Sequence, residues 1–246
     1  MRVPWRRNFP PVFVHAAWDS PAARVLPEHP GYFRAKKRRD VMAALAICDD
    51  LAQEGQLEAI YDTCFERDAD LPPLVVAPSL ALEETQNVLA LTYAQWLAKE
   101  MGWEVEKGIF RANTASRDFI VNPWYRLAHD PTYYGAVQPG RRYVIADDVS
   151  TMGGTLTSLR GFIESQGATV ICMTALASKT GDNVQISLAE RTLRELTMAL
   201  SGRLAAACNV ELGYAVNCLT EQEGRFLLRC PSVDALRAGI AGARDP

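Results

Sequence analysis

Apolar and polar positions change rhythm several times along the chain. VMAALAICDDL (41–51) spaces its apolar residues as an amphipathic helix does, and QLEAIYDTCFERD repeats the pattern after Gly55. At Pro72–Pro73 the rhythm breaks. LVVAP (74–78) is a short apolar run bounded by prolines and predicts a buried strand. SLALEETQN reads as a connection or helix start. VLALTYAQWLAKEMG (88–102) predicts a helix stopped by Gly102, and WEVEKGIF (103–110) a second strand. RYVIADD (142–148) is apolar without alternation, as in a strand covered on both faces, and leads into a helix over 156–167. ATVICMTALAS (168–178) predicts a fourth strand.

Strands separated by helices imply an α/β fold with a mostly parallel sheet flanked by helices. Residues 186–207 are helical by pattern. Thr220 and Glu223 form a capping box in TEQE, and Ser232 is placed to cap a last helix. The chain thus divides into an N-terminal extended and helical segment (1–71), a core (72–178) and a small helical appendage (179–246). Residues 1–30 carry six prolines and are expected to lie extended over the surface. Residues 111–140 are polar, aromatic and broken by Pro and Gly. A connection of that length suggests a lid or binding loop.

The composition, 48% hydrophobic and 22% charged over 246 residues, is that of a globular protein with a sizeable core. No run of about 18 apolar residues exists, so no membrane span is expected. The first residues contain no apolar stretch of signal-peptide length, and the six cysteines form no CxxC pair. Reduced thiols in a cytoplasmic protein are the expectation. Three scattered histidines give no metal-ligand spacing.

Net charge is −3 but uneven: residues 1–40 hold nine Lys/Arg and three Asp/Glu, a local +6 that leaves −9 for the remainder. The cluster Lys36, Lys37, Arg38, Arg39 is compatible with a nucleic-acid arm. A solvated helix start or a phosphate-facing rim is the stronger expectation.

VIADDVSTMGGTL (144–156) carries the chemistry. An apolar strand delivers Asp147 and Asp148 to the carboxyl edge of a parallel sheet, where open α/β sheets bind ligands. Gly153 and Gly154 let successive backbone N–H groups converge on one point. Thr151 and Thr155 add hydroxyls, and the following helix N-terminus adds oriented N–H groups and partial positive charge. Such a loop suits a phosphate monoester, with the carboxylates placed for a sugar's vicinal hydroxyls.

This run resembles the signature of type I phosphoribosyltransferases. The resemblance implies that family's fold, with residues 1–71 and the appendage both candidates for its hood, and binding of phosphoribosyl pyrophosphate (PRPP). Asp147 and Asp148 would face the ribose hydroxyls and, through these or water, Mg²⁺. Ser150, Thr151, Met152, Gly153, Gly154 and Thr155 would hold the 5′-phosphate. The implied reaction transfers ribose 5-phosphate to a nitrogenous base and releases pyrophosphate, which places the chain in nucleotide metabolism. A homodimer is the base-rate expectation for such a protein.

Three features depart from the pattern. Met152 replaces a small or hydroxyl residue before the glycines. The pyrophosphate-side loop 79–87 contains Glu83 and Glu84 but no Lys or Arg. The lid is long, and its Arg111, Arg117 and Arg126 are candidates for the missing charge, Arg111 and Arg117 in catalytic roles. The cation-free loop also leaves open a non-catalytic regulatory protein that binds PRPP or a nucleotide on the same fold.

Overall fold

The computed structural model describes residues 2–18, 25–65, 71–82, 85–113, 122–181 and 184–244. Five strands form one parallel sheet in the order β1 (Val12–Ala17), β7 (Thr169–Ser178), β6 (Arg142–Ser150), β2 (Leu74–Val76) and β3 (Glu104–Val105). Helices cover both faces, so the fold is a mostly parallel α/β sheet with flanking helices and a helical appendage.

The two-residue period of the strands sorts their side chains between two cores. On one face Val75, Val144, Ala146 and Cys172 pack under α2 (Val41–Leu51), α3 (Glu54–Cys64) and α4 (Val88–Met101). On the other, Leu74, Tyr143, Ile145 and Met173 meet Leu156, Leu159 and Ile163 of α6 (Gly154–Ser165). Burial on both faces explains why β6 and β7 read as continuous apolar runs.

Three expectations change. The proline-rich beginning does not simply lie over the surface. Its VFVHAA stretch is strand β1, docked in parallel on β7, with Val12, Phe13, Val14 and His15 buried. The stretch 103–110 is not one strand. After two residues of β3 it turns, and β4 (Ile109–Arg111) pairs antiparallel with β5 (Tyr133–Gly135) in a separate ribbon. A Cβ on Gly135 of β5 would lie 1.9 Å from the Gly108 carbonyl oxygen, so this close approach between the two strands requires glycine. The cluster from Lys36 lies in an additional short helix, α1 (Tyr32–Arg38). Arg39 then takes a left-handed conformation and Asp40 caps α2.

The appendage has its own core. It comprises α7 (Glu190–Met198), α8 (Arg203–Leu212), α9 (Glu221–Leu227) and α10 (Val233–Arg244), with Leu196, Leu204, Leu227, Leu236 and Ile240 buried among them. Both expected caps form: the Thr220–Glu223 capping box on α9, and Ser232 Oγ accepting from Ala235 N on α10. The long 111–140 connection also feeds this core. Its helix α5 (Pro123–Ala128) inserts Leu127 and packs Trp124 edge-on against Phe226 at 4.7 Å. A Cβ on Gly239 would come within 2.5 Å of the Trp124 ring. This half of the expected lid is therefore packed structure.

Candidate phosphosugar site

The site lies where the chain direction across the sheet reverses. From β2 the chain moves outward to β3, and from β6 it moves the opposite way to β7. The carboxyl ends of β2 and β6 consequently diverge, leaving the crevice that open α/β sheets use for ligands.

Beyond β6 the backbone turns through Thr151–Gly153 into α6. Gly153 adopts φ +79°, ψ 0°, a left-handed geometry that disfavours side chains. Asp147, Ser150, Thr151, Met152, Gly153, Gly154 and Thr155 line one small recess at the α6 N-terminus. All six residues expected to hold the phosphate thus share it with Asp147. Arg126 also lines it, and its Nη1 donates to Thr151 Oγ1 at 2.9 Å. A guanidinium beside a glycine turn and a twelve-residue helix start is a strong set of anion donors.

Packing also constrains Gly153. A Cβ there would meet Ile186 Cδ1 at 3.0 Å and Thr220 Cγ2 at 3.1 Å. The appendage therefore presses against the loop from behind. Thr220 Oγ1 donates to the Met152 carbonyl at 2.6 Å, and buried Glu223 reaches the recess lining.

The acidic pair divides its contacts. Asp147 belongs to the recess, while Asp148 Oδ2 accepts from Lys36 Nζ at 2.5 Å. Lys36 also donates to Asn87 Oδ1 at 3.4 Å. Burial, and then the Asp148 charge, push the Asp147 carboxyl well above the ordinary carboxylate range. Burial would raise Asp148 too, but the Lys36 ammonium holds it below its ordinary value. Asp147 Oδ1 also accepts from the Asp148 backbone N at 2.9 Å. The two carboxyls shift in opposite directions because only Asp148 is paired with Lys36.

Arg111 lies outside this recess. Its backbone N donates to Ser79 O at 2.6 Å, beside the loop after β2, and its side-chain Nε donates to Asn113 Oδ1 at 3.0 Å. Arg117, Glu83 and Glu84 fall outside the described residues. Sequence reasoning did not assign Lys36, Asn87, Thr220 or Glu223 to the site. Only Lys36 had a usable signal, the basic cluster expected as a phosphate-facing rim. The tertiary fold alone brings the others there.

No family model matches the chain. It is 32% identical to the protein TraN of Escherichia coli over 245 residues, covering 99% of this chain and 52% of TraN. It is 28% identical to an uncharacterised protein of Haemophilus influenzae over 163 residues, covering 66% of this chain and 34% of that protein. The chain thus spans about half the length of the first relative and a third of the second. Similar solved structures include adenine phosphoribosyltransferase from Thermoanaerobacter pseudethanolicus, at 16% identity and TM-score 0.34, covering 57% of this chain and 83% of that one. Orotate phosphoribosyltransferase from Aeropyrum pernix matches at 17% identity and TM-score 0.30, covering 59% and 68%.

Proposed function

We propose that this chain binds the ribose 5-phosphate portion of PRPP in the β6–α6 recess and acts as a phosphoribosyltransferase on a nitrogenous base. The observation that carries the reading is the convergence of the Thr151–Thr155 turn, the α6 N-terminus and Arg126 on one point beside Asp147. In this reading the turn and Arg126 hold the 5′-phosphate, and the carboxyl pair orients the ribose hydroxyls. Displacement at the sugar's anomeric carbon needs positioning and charge stabilisation more than a protein nucleophile. Lys36 is the nearest cation to Asp148 and Asn87, and supports the pyrophosphate side that loop 79–87 leaves without one.

The residues do not fit a resident Mg²⁺. Asp148 is engaged by Lys36, and the described residues contain no group of three or more His, Cys, Asp or Glu able to hold a metal ion. In this reading Mg²⁺ accompanies the pyrophosphate of PRPP, coordinated by substrate oxygens and water. Six free cysteines favour a reducing compartment such as the cytoplasm, and no helix among the described residues is long and apolar enough to cross a membrane.

A second reading has its own observation. Asp148 and Thr151 are already bonded to Lys36 and Arg126, as suits a regulatory site that exchanges internal partners for a bound nucleotide or PRPP. One assay separates the two: protein, Mg²⁺ and PRPP incubated with a panel of purine and pyrimidine bases. Base-dependent pyrophosphate release supports the transferase. PRPP binding without release supports the regulator, and the lack of both removes the site.

A further inference from the structure

The recess that would receive a phosphate dianion also contains a carboxylate. Glu223 is 1% exposed and lines it together with Thr151–Thr155. Left alone, a buried carboxylate would repel a phosphate ligand. It is not alone, because the second residue of the chain reaches it from far away in sequence.

Arg2 is buried, and its guanidinium grips Glu223 with two bonds, Nη1 to Oε2 at 2.5 Å and Nη2 to Oε1 at 2.8 Å. Its Nε and Nη2 also reach Asp130 Oδ2 at 2.7 Å and Oδ1 at 2.6 Å, just beyond α5. The Tyr214 ring lies 4.6 Å beneath it. Glu223 in turn accepts from Thr220 N at 3.0 Å, while Thr220 Oγ1 accepts from Glu223 N at 3.1 Å and donates to Met152 O. One guanidinium therefore joins the N-terminal segment, the segment that follows Arg126, and the cap that holds the phosphate loop.

We propose that Arg2 is a positioning residue of the phosphate site: it offsets the negative charge of Glu223 in the α9 cap, so that the recess accepts a phosphate monoester. The role rests on the phosphosugar reading above. It makes the acidity of Glu223 tolerable, because a capping box needs only a Glu or Gln acceptor, whereas anion binding needs that acceptor neutralised.

Titration calorimetry with ribose 5-phosphate as the probe tests it in four proteins. Arg2→Met should bind about tenfold or more weakly, since it leaves an uncompensated carboxylate beside the phosphate. Arg2→Met/Glu223→Gln should return to within about threefold of wild type, because Gln preserves the cap and removes the charge. Glu223→Gln alone should bind at least as tightly as wild type, and it keeps the test decisive if Arg2→Met fails to fold. A double variant as weak as Arg2→Met would mean that Arg2 is structural only, and would overturn the proposal. So would weakened binding in Glu223→Gln alone. A wild-type protein that does not bind ribose 5-phosphate removes the phosphosugar site itself. A wild type and Arg2→Met that bind equally well remove only the role of Arg2.

Discussion

Lys36 Nζ sits 2.5 Å from Asp148 Oδ2, joining the short helix that precedes α2 to the end of the central strand. Both side chains are largely buried, at 14% and 6% exposure, and desolvation makes such a pair costly to break. Lys36→Met should destabilise the protein by about 3 kcal/mol, because Asp148 is left charged and unpaired. Adding Asp148→Asn should recover most of that loss. Urea unfolding of the two single variants and the double variant measures the coupling. Additive effects would mean that the contact contributes no net interaction.

Gly153 stands between the turn after β6 and the appendage. With φ +79°, and with an added Cβ only 3.0 Å from Ile186 Cδ1, Gly153→Ala should force the loop or the Ile186 side chain to shift. The expected cost is ~1–2 kcal/mol from the left-handed backbone alone, with weaker ribose 5-phosphate binding besides. Adding Ile186→Val, which removes the nearest atom, should restore part of both. Thermal unfolding and calorimetry on the three proteins check this.

The two described arginines of the 111–140 connection should separate by ligand. Arg126 contacts Thr151 inside the recess, whereas the Arg111 backbone bonds Ser79 beside the loop after β2. Arg126→Ala should weaken ribose 5-phosphate and PRPP alike by about tenfold or more, the scale of a charged hydrogen bond. Arg111→Ala should spare ribose 5-phosphate and weaken PRPP alone. Equal losses for both ligands in Arg111→Ala would place it at the phosphate instead.

His15 provides a pH signature independent of any ligand. Its Nδ1 accepts from Gln53 N at 3.1 Å, so Nε2 carries the proton and donates to Tyr93 Oη at 2.8 Å. Burial lowers this histidine to about 4 from an ordinary 6.5. Below pH 6.5 the unfolded chain therefore binds a proton that the folded chain refuses. Its contribution to stability is full above about pH 6.5 and is lost as the pH falls toward 4, a change of ~3 kcal/mol. His15→Gln should be less stable at pH 7 and lack this component. The wild-type-minus-variant difference across pH 4–7, from urea midpoints, isolates it from the carboxyl groups that titrate in the same range.

The sheet was legible where burial on both faces wrote long apolar runs, as in β6 and β7. It was misread where short strands carry little pattern. β3 has only two paired residues, so β4, which follows it closely, reads as its continuation. β1 was hidden by the prolines around it. The glycine turn after β6 was legible because Asp-Asp and Gly-Gly have local causes. The surroundings of that turn were not. Lys36, Thr220, Glu223 and Arg2 arrive from 68 or more residues away, as the 112-residue separation of Lys36 from Asp148 and the 68-residue separation of Thr220 from Met152 illustrate. α5 was not legible because Trp124 and Leu127 look like loop aromatics and aliphatics until α10 supplies Gly239 opposite Trp124 and the appendage core takes in Leu127.

The most direct measurement is a crystal structure of the full chain with ribose 5-phosphate. The phosphate should lie in the β6–α6 recess, bonded to backbone N–H groups within 151–155 and to the Arg126 guanidinium, with the ribose hydroxyls against the Asp147–Asp148 pair. A ligand bound elsewhere, or a recess still closed by its own side chains at saturating ribose 5-phosphate, would contradict the assignment.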